Sequence, residues 1–551
     1  MSCSRAGALG LALVAAASLG SCTKSGQLPS GTLERLAIVP IENLTSDASL
    51  GWITAAATSQ LAYDLTGPPH VYAARVDSAA QTQLVRANRV LEGYFAEEKG
   101  ALAFHATLRD PVKQATIRTM TVTAAPAGVA AAIDQLAKDL NPAARNFGTP
   151  GAEAFRLYGE ALDGHADFEA LTRAHPKFSA AWLAWVESRL AHQDVPGAQK
   201  AAAAALASDT QMNAIDRAQI QYLVAMSGSE AGPRLHALTT LANLLPSEPE
   251  VLRTLGNLQY ERRDFKQAVR SLHQATQIDP GNPSSWNVLG YARAEMRDLD
   301  GARDALKHYI ELQPNDPNAQ DSLGEISYYF GDFPAAEGYF LAAYAKNPGA
   351  LGSLDLLKAA QARLMTGDVP GADKIFGQYY QLRKQRQPGA AEYEQAQWLF
   401  LTGRGQQAID KLKGMQTNPV IAMQLAIWMA QTGQAEPPDA LASAGPLGQA
   451  ALLLLKGQDA SGVLQPLYRQ ATPATDGQIR ALLAWSEMKS RPAEAAKLVD
   501  LYPIPLGASG EPVFASLAFP RFLQVRGTLL HSEKDLKLWN QLTASNKPAA
   551  P

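Results

Sequence analysis

The chain is 551 residues long, about three and a half domains at ~150 residues each, so a large core is available. Its 49 Lys+Arg against 52 Asp+Glu leave a net charge of −3, and no stretch concentrates one sign, which argues against the basic face that a nucleic-acid binder needs to displace counterions. At 46% hydrophobic residues wholesale disorder is excluded, and with both cysteines (Cys3 and Cys22) in the first 22 positions the rest of the chain has no disulfide, thiolate nucleophile or Cys-ligated metal.

Residues 1–21 read as a signal peptide. Arg5 is the only charge ahead of the apolar run 6–19, which is shorter than the ~20 residues that cross a bilayer. Leu19, Gly20, Ser21 and Cys22 together resemble the bacterial lipobox. The resemblance implies cleavage before Cys22 and lipidation of Cys22, and two or three acyl chains make a stable anchor where one is marginal. Thr23 stands where an aspartate would resemble an inner-membrane retention signal. The expected location is therefore the bacterial cell envelope, lipid-anchored in the outer membrane and facing the periplasm. Residues 22–32 are read as the lipidated cysteine and a flexible tether.

A first folded domain is expected over 33–145. The run LAIVP at 36–40 suits a buried strand, 50–65 a helix, 71–74 a second strand and 78–87 a second short helix. Three alternating segments, 89–97, 101–110 and 115–124, are separated by tight breaks and read as a meander; 129–140 closes the domain as an amphipathic helix with Ile133, Leu136 and Leu140 on one stripe. This order is an α/β sandwich, a mixed sheet with covering helices. The stretches LAIVPIENLT (36–45), VLEGY (90–94) and ATLRD (106–110) resemble the TolB-like amino-terminal domain found ahead of repeat arrays in bacterial proteins. Ala124, Ala125 and Pro126 depart from that pattern at the last sheet edge. The resemblance implies an envelope-associated, non-enzymatic role.

From about 150 to 545 the chain is expected to be helical and periodic. Gly256, Gly290 and Gly324 are spaced by 34 residues. The same spacing relates Leu255, Leu289 and Leu323; Asp264, Asp298 and Asp332; Ala268, Ala302 and Ala336; and Pro280, Pro314 and Pro348. Five columns in register over 249–282, 283–316 and 317–350 resemble the tetratricopeptide repeat. Gly at position 8 and Ala at position 20 permit close helix crossing, Asp caps the second helix, and Pro follows its end. Asp194 and Asp368 continue the turn pattern with drift, and past 415 the columns dissolve while helix–turn–helix spacing persists. The expectation is an all-α solenoid of roughly nine to eleven hairpins following the α/β domain.

Catalytic motifs are missing from the sequence: there is no P-loop, no G-x-G-x-x-G and no H-E-x-x-H, and none of the nine histidines pairs with another at i+3 or i+4. The chain is read as non-catalytic, without cofactor or metal. In tetratricopeptide arrays the first helix of each hairpin lines a concave groove. The resemblance carries that role to Arg253, Asn257 and Tyr260, to Asn287 and Tyr291, and to Asp321, Glu325, Tyr328 and Tyr329. Arg253 and Asn257 match the start of a carboxylate clamp, but Asn318, Asp321 and Ser322 offer no Lys or Arg to complete it. Tyrosines among polar neighbours suit a protein or peptide partner. The expected function is a scaffold for protein–protein interaction. The readings left open are an outer-membrane assembly or secretion accessory (pilotin-like or barrel-insertion-like) and a subunit of an envelope enzyme.

Overall fold

The computed structural model describes residues 33–544 except 68–70, 84, 209–211, 229, 349–352, 416–417 and 508–511. The expected signal peptide, Cys22 and the tether to residue 32 lie outside the described residues, as does the end of the array at 545. The chain divides into a unit ending at Ser227 and a second starting at Gly228.

In the first unit β1 (Glu34–Ile38), β2 (Glu42–Asn43), β3 (Val71–Arg75), β4 (Arg89–Glu98), β5 (Ala101–Asp110) and β6 (Ala115–Ala124) form one mixed sheet. Its order is β3-β1-β4-β5-β6, with β2 beside β4. β1 is parallel to β3 and β4, whereas the meander β4-β5-β6 is antiparallel because its links are tight. The β4–β5 link takes left-handed φ at both Lys99 (52°) and Gly100 (78°), the turn geometry that matches strand twist. Along β5 the side chains of Leu102, Phe104, Ala106 and Leu108 are buried and alternate with partly exposed His105, Thr107 and Arg109. The buried set packs with Ile53 and Leu61 of α1 (Trp52–Asp64) and with Ile133 and Leu136 of α2 (Val129–Leu140). The helix expected over 78–87 is only the 3-10 turn Ala79–Gln83. None of its residues is buried, so no packing offsets the cost of nucleating a helix there.

Five helices complete this unit: α3 (Ala152–Leu162), α4 (Phe168–Ala174), α5 (Ser179–Ala191), α6 (Val195–Ala207) and α7 (Ala214–Ser227). Phe147 joins α3 and the start of α5 to α1, the helix that packs on the sheet. Its ring meets Tyr63 at 5.2 Å, Phe155 at 5.9 Å, Tyr158 at 5.3 Å and Phe178 at 5.3 Å, all near edge-to-face. Gly159 lets α3 close onto α1, since a Cβ there would collide with the Trp52 carbonyl oxygen. The break in compactness therefore falls at 227/228, later than the boundary expected between 145 and 150, because aromatic side chains from both sides of 145 share one core.

The second unit begins with α8 (Ala231–Leu244) and continues as hairpins. They are α9 (Pro249–Glu261) with α10 (Phe265–Ile278), α11 (Pro283–Glu295) with α12 (Leu299–Leu312), and α13 (Pro317–Tyr329) with α14 (Phe333–Lys346). Then come α15 (Ser353–Met365) with α16 (Val369–Arg386), α17 (Pro388–Leu401) with α18 (Gly405–Lys413), and further helices as far as Thr543. The glycine column works by close approach. A Cβ on Gly256 would lie 2.5 Å from Leu272, one on Gly290 2.8 Å from Leu306, and one on Gly324 2.7 Å from the Phe340 ring. Ala268, Ala302 and Ala336 are fully buried opposite. Asp264 and Asp298 accept from the backbone N–H groups of Gln267 and Gly301, capping α10 and α12. Asp332 makes no such cap bond and instead pairs with Arg303 at 2.7 Å. The hairpin after α14 is out of step: α15 starts 36 residues after α13 (353 − 317), not 34. Among the described residues no helix is long and apolar enough to cross a membrane.

Candidate functional site

The first helices α9, α11 and α13 carry the residues expected to line a groove, and with α15 they form two patches. On α9 and α11 the polar side chains are half-buried. Arg253 donates to Glu250 at 2.8 Å, and the Asn257 amide lies 3.2 and 3.3 Å from the Arg253 carbonyl oxygen and guanidinium. Tyr260 packs against Phe265 at 5.9 Å; burial, then the carboxylates of Glu295, Asp476 and Glu325, raise its phenol pKa. Asn287 is partly exposed, yet its side-chain oxygen is buried without a hydrogen-bond partner. Such an oxygen costs ~1–3 kcal/mol unless something donates to it.

The second patch centres on Lys358, which the sequence reading did not single out. Its ammonium donates to Asp321 at 2.7 and 2.8 Å and to Glu325 at 2.7 Å, while Tyr291 donates to the other Glu325 oxygen at 2.6 Å. Burial works against charge on Lys358, but Glu325 and Asp321 outweigh it and hold its pKa above the ordinary lysine value. Asp355 completes the group; burial first, then the Asp321 carboxylate, push it up to about 7. By strict 34-residue spacing Lys358 would occupy the glycine column after Gly256, Gly290 and Gly324. The two extra residues before α15 turn it toward Asp321 instead. The signal that locates it is the 36-residue step from Asp332 to Asp368. Asp321 and Glu325 thus sit together and hold a cation of the chain itself.

Tyr328 is a correction. It is fully buried, its ring 5.1 Å from Phe333 and its hydroxyl without a hydrogen-bond partner, so it is a packing residue and not a groove residue. The reason lies 170 residues downstream, where Tyr502 donates its backbone N–H to the Tyr329 carbonyl at 3.0 Å and stacks edge-on against Phe333 at 5.0 Å. The same fold-back continues along the array. Arg263 meets Asp476 at 2.7 Å, Arg297 grips Asp500 with two bonds of 2.6 Å, and Gln541 donates to the Gly367 carbonyl at 3.0 Å. Gln361 makes a reciprocal clasp on the Leu506 backbone, accepting from its N–H at 2.7 Å and donating to its carbonyl at 2.8 Å. Residues 501–506 are without helix or strand, so this part of the helix face holds an irregular segment of its own chain.

Among the described residues no group of three or more His, Cys, Asp or Glu side chains is arranged to hold a metal. Ser486 donates to Asp459 at 2.7 Å and accepts from the Ala460 backbone N–H at 2.8 Å, so its hydroxyl is engaged beside the start of the helix at Ser461.

A family model described as the tetratricopeptide repeat matches residues 259–326, so the chain contains repeats of that family. No curated protein matches the chain. Among solved structures, one titled as a functional characterization of Pseudomonas aeruginosa pilF is similar at 18% identity, covering 39% of this chain and 95% of the other, with a TM-score of 0.31. A crystal structure of MamA protein is similar at 16% identity over 38% of this chain and 93% of its own, with a TM-score of 0.27. A crystal structure of YrrB, titled a TPR protein with an unusual peptide-binding site, shows 13% identity over 40% and 93%, with a TM-score of 0.26.

Proposed function

We propose that this protein is a non-catalytic scaffold of the bacterial cell envelope, anchored by acyl chains on Cys22, that holds an extended segment of a partner protein against α9 and α11. The observation that carries the reading is the clasp of Gln361 on the Leu506 backbone. The helix face that presents Gln361 on α15 holds chain that is neither helix nor strand through side-chain-to-backbone bonds, and further up the array the same series of first helices presents Arg253, Asn257, Tyr260 and Asn287 half-buried. An assembly or secretion accessory of the outer membrane is a special case of this role, separated from it only by who the partner is.

The anchor is tested by fractionation: Cys22→Ser is expected to leave the membrane fraction or remain unprocessed, and identical distribution of both forms would remove the lipid anchor from the reading. The binding face is tested by pull-down with Arg253→Glu and Asn287→Lys. Partner recovery is expected to fall about 10-fold, equivalent to ~1.4 kcal/mol, with circular dichroism unchanged. Folded variants that recover every partner would move the site off α9 and α11.

A further inference from the structure

A cavity of about 210 Å³ lies inside the first unit, bounded by α1, β3, α3, α5 and α7. It exceeds the ~15 Å³ that one water needs and falls below the ~300 Å³ at which sites for drug-sized ligands begin. That size selects a molecule of a few heavy atoms and leaves out nucleotides and longer peptides.

The lining has two characters. At the mouth, Arg75 and Glu187 face each other loosely, 3.8 Å apart and each nearly half exposed, so both retain unused hydrogen-bonding capacity. Arg75 also donates to Ser59 at 3.3 Å, and Ser59 shares a 2.8 Å hydrogen bond with Tyr158. The second guanidinium on the wall is already engaged: Arg145 pairs with Asp216 at 2.6 Å and lies 4.1 Å over the Tyr63 ring. Gln219 lines the cavity with a buried side-chain oxygen that accepts nothing. Ala73, two residues before Arg75 on β3, and Ala180, Leu183 and Ala184, on the same helix as Glu187, supply the apolar part of the lining.

Each simple ligand class fails against this lining. A bare anion suits Arg75 and is repelled by Glu187; a bare cation meets the reverse; an apolar guest leaves two loosely engaged charges and the Gln219 oxygen unserved. A ligand carrying both charged groups on one carbon, with a short apolar branch, serves Arg75, Glu187 and the apolar lining together. We propose that this cavity binds a small zwitterion of the α-amino-acid class, its carboxylate on Arg75, its ammonium on Glu187 and its side chain against the alanine–leucine wall. The inference stands apart from the partner face on α9 and α11.

The test is calorimetry on the detergent-extracted full chain, first with a panel of L-α-amino acids and then, for the best one with a leucine-like side chain, with 4-methylpentanoate and 3-methylbutylamine, which lack one charge each. One amino acid is expected to bind, and each one-charge analogue to bind at least about 10-fold more weakly, as loss of a charge-assisted contact requires. Arg75→Gln and Glu187→Gln are each expected to weaken binding by about the same factor, and Ala184→Trp, which fills the cavity, to abolish it. Circular dichroism on each variant separates loss of the site from loss of the fold. The proposal is overturned if no amino acid binds, if the analogues match the amino acid, or if folded Arg75→Gln and Ala184→Trp bind as the wild type does.

Discussion

The hairpins between 249 and 346 and those from 353 onward use the same helix–turn–helix unit but are held together differently. In the earlier stretch adhesion is local and repetitive: glycine, leucine and alanine at fixed positions let neighbouring helices touch, and each contact spans one hairpin. In the later stretch those columns lapse, and named long-range contacts replace them. Trp428 and Gln424 both donate to Ser516, at 2.7 and 3.0 Å, and buried Asp535 accepts from Tyr502 at 2.9 Å and pairs with Arg526. The fold-back from 471 to 542 stitches the two stretches through Arg263, Arg297 and Tyr329. A repeat array becomes more than a sum of nearest neighbours when its tail returns to its middle.

Substitutions that attack one mode and spare the other sharpen this contrast. The largest effect belongs to the repetitive mode. Gly290→Leu and Ala302→Trp are expected to cost about 3 kcal/mol each, because the new atoms must enter the Leu306 side chain or a fully buried contact. Ser284→Trp, on the exposed side of α11, should stay within ~0.5 kcal/mol by urea unfolding. Equal midpoints for the three would break the register on which the comparison stands.

Next comes the fold-back. Arg263→Ala leaves the Asp476 carboxylate, only 2% exposed, with Arg480 at 3.8 Å as its remaining cation. A cost of about 2–3 kcal/mol is expected, below that of a wholly orphaned buried charge. If the fold-back were a surface embellishment, the loss would be under ~0.5 kcal/mol.

A smaller effect is expected at Asp355 and depends on pH. Its pKa in the folded chain is raised to about 7, above the ordinary carboxylate value of ~3.9, so the folded form holds this proton more tightly than the unfolded form. That contribution is complete below about pH 4 and is lost as pH rises through 7. Asp355→Asn should therefore gain on the wild type by roughly 1–2 kcal/mol between pH 4 and pH 8. A constant difference across that range would remove the Lys358 cluster from the list of strained sites.

The smallest effect falls at the turns. Arg263 and Arg297 adopt left-handed φ of 63° and 65° at the position where the later hairpins place Gly331, Gly367 and Gly403. Relief of the ~1 kcal/mol left-handed penalty in Arg297→Gly should offset the half-exposed Asp500 pair and the added chain entropy, for a net change within ~0.5 kcal/mol. A much larger loss would raise Arg297 to the rank of Arg263.

Legibility in the sequence follows the range of the interactions. The strand alternation of 89–124 and the packing columns of 249–348 were readable because each depends on residues a fixed and short distance apart. Of the residues assigned to the groove, Arg253, Asn257, Tyr260 and Asn287 are half-buried on their helices, and Tyr291, Asp321 and Glu325 meet around Lys358. Tyr328 was misread because its covering residue is Tyr502, and Lys358 was passed over because a two-residue insertion rotates it out of its column.

What the sequence determined by itself is the set of units: a sheet with an alternating meander, then hairpins whose glycines, alanines and caps repeat at 34 residues. Periodicity encodes these because a helix pair or hairpin buries its stripe against an adjacent element. Only the tertiary structure decided where the units join and which faces remain open. Phe147 ties α1 to α3 and the start of α5, and Arg297 finds Asp500 across 203 residues. Such pairings leave no period in the sequence, since one side chain meets one partner once, at a distance set by how the whole chain packs.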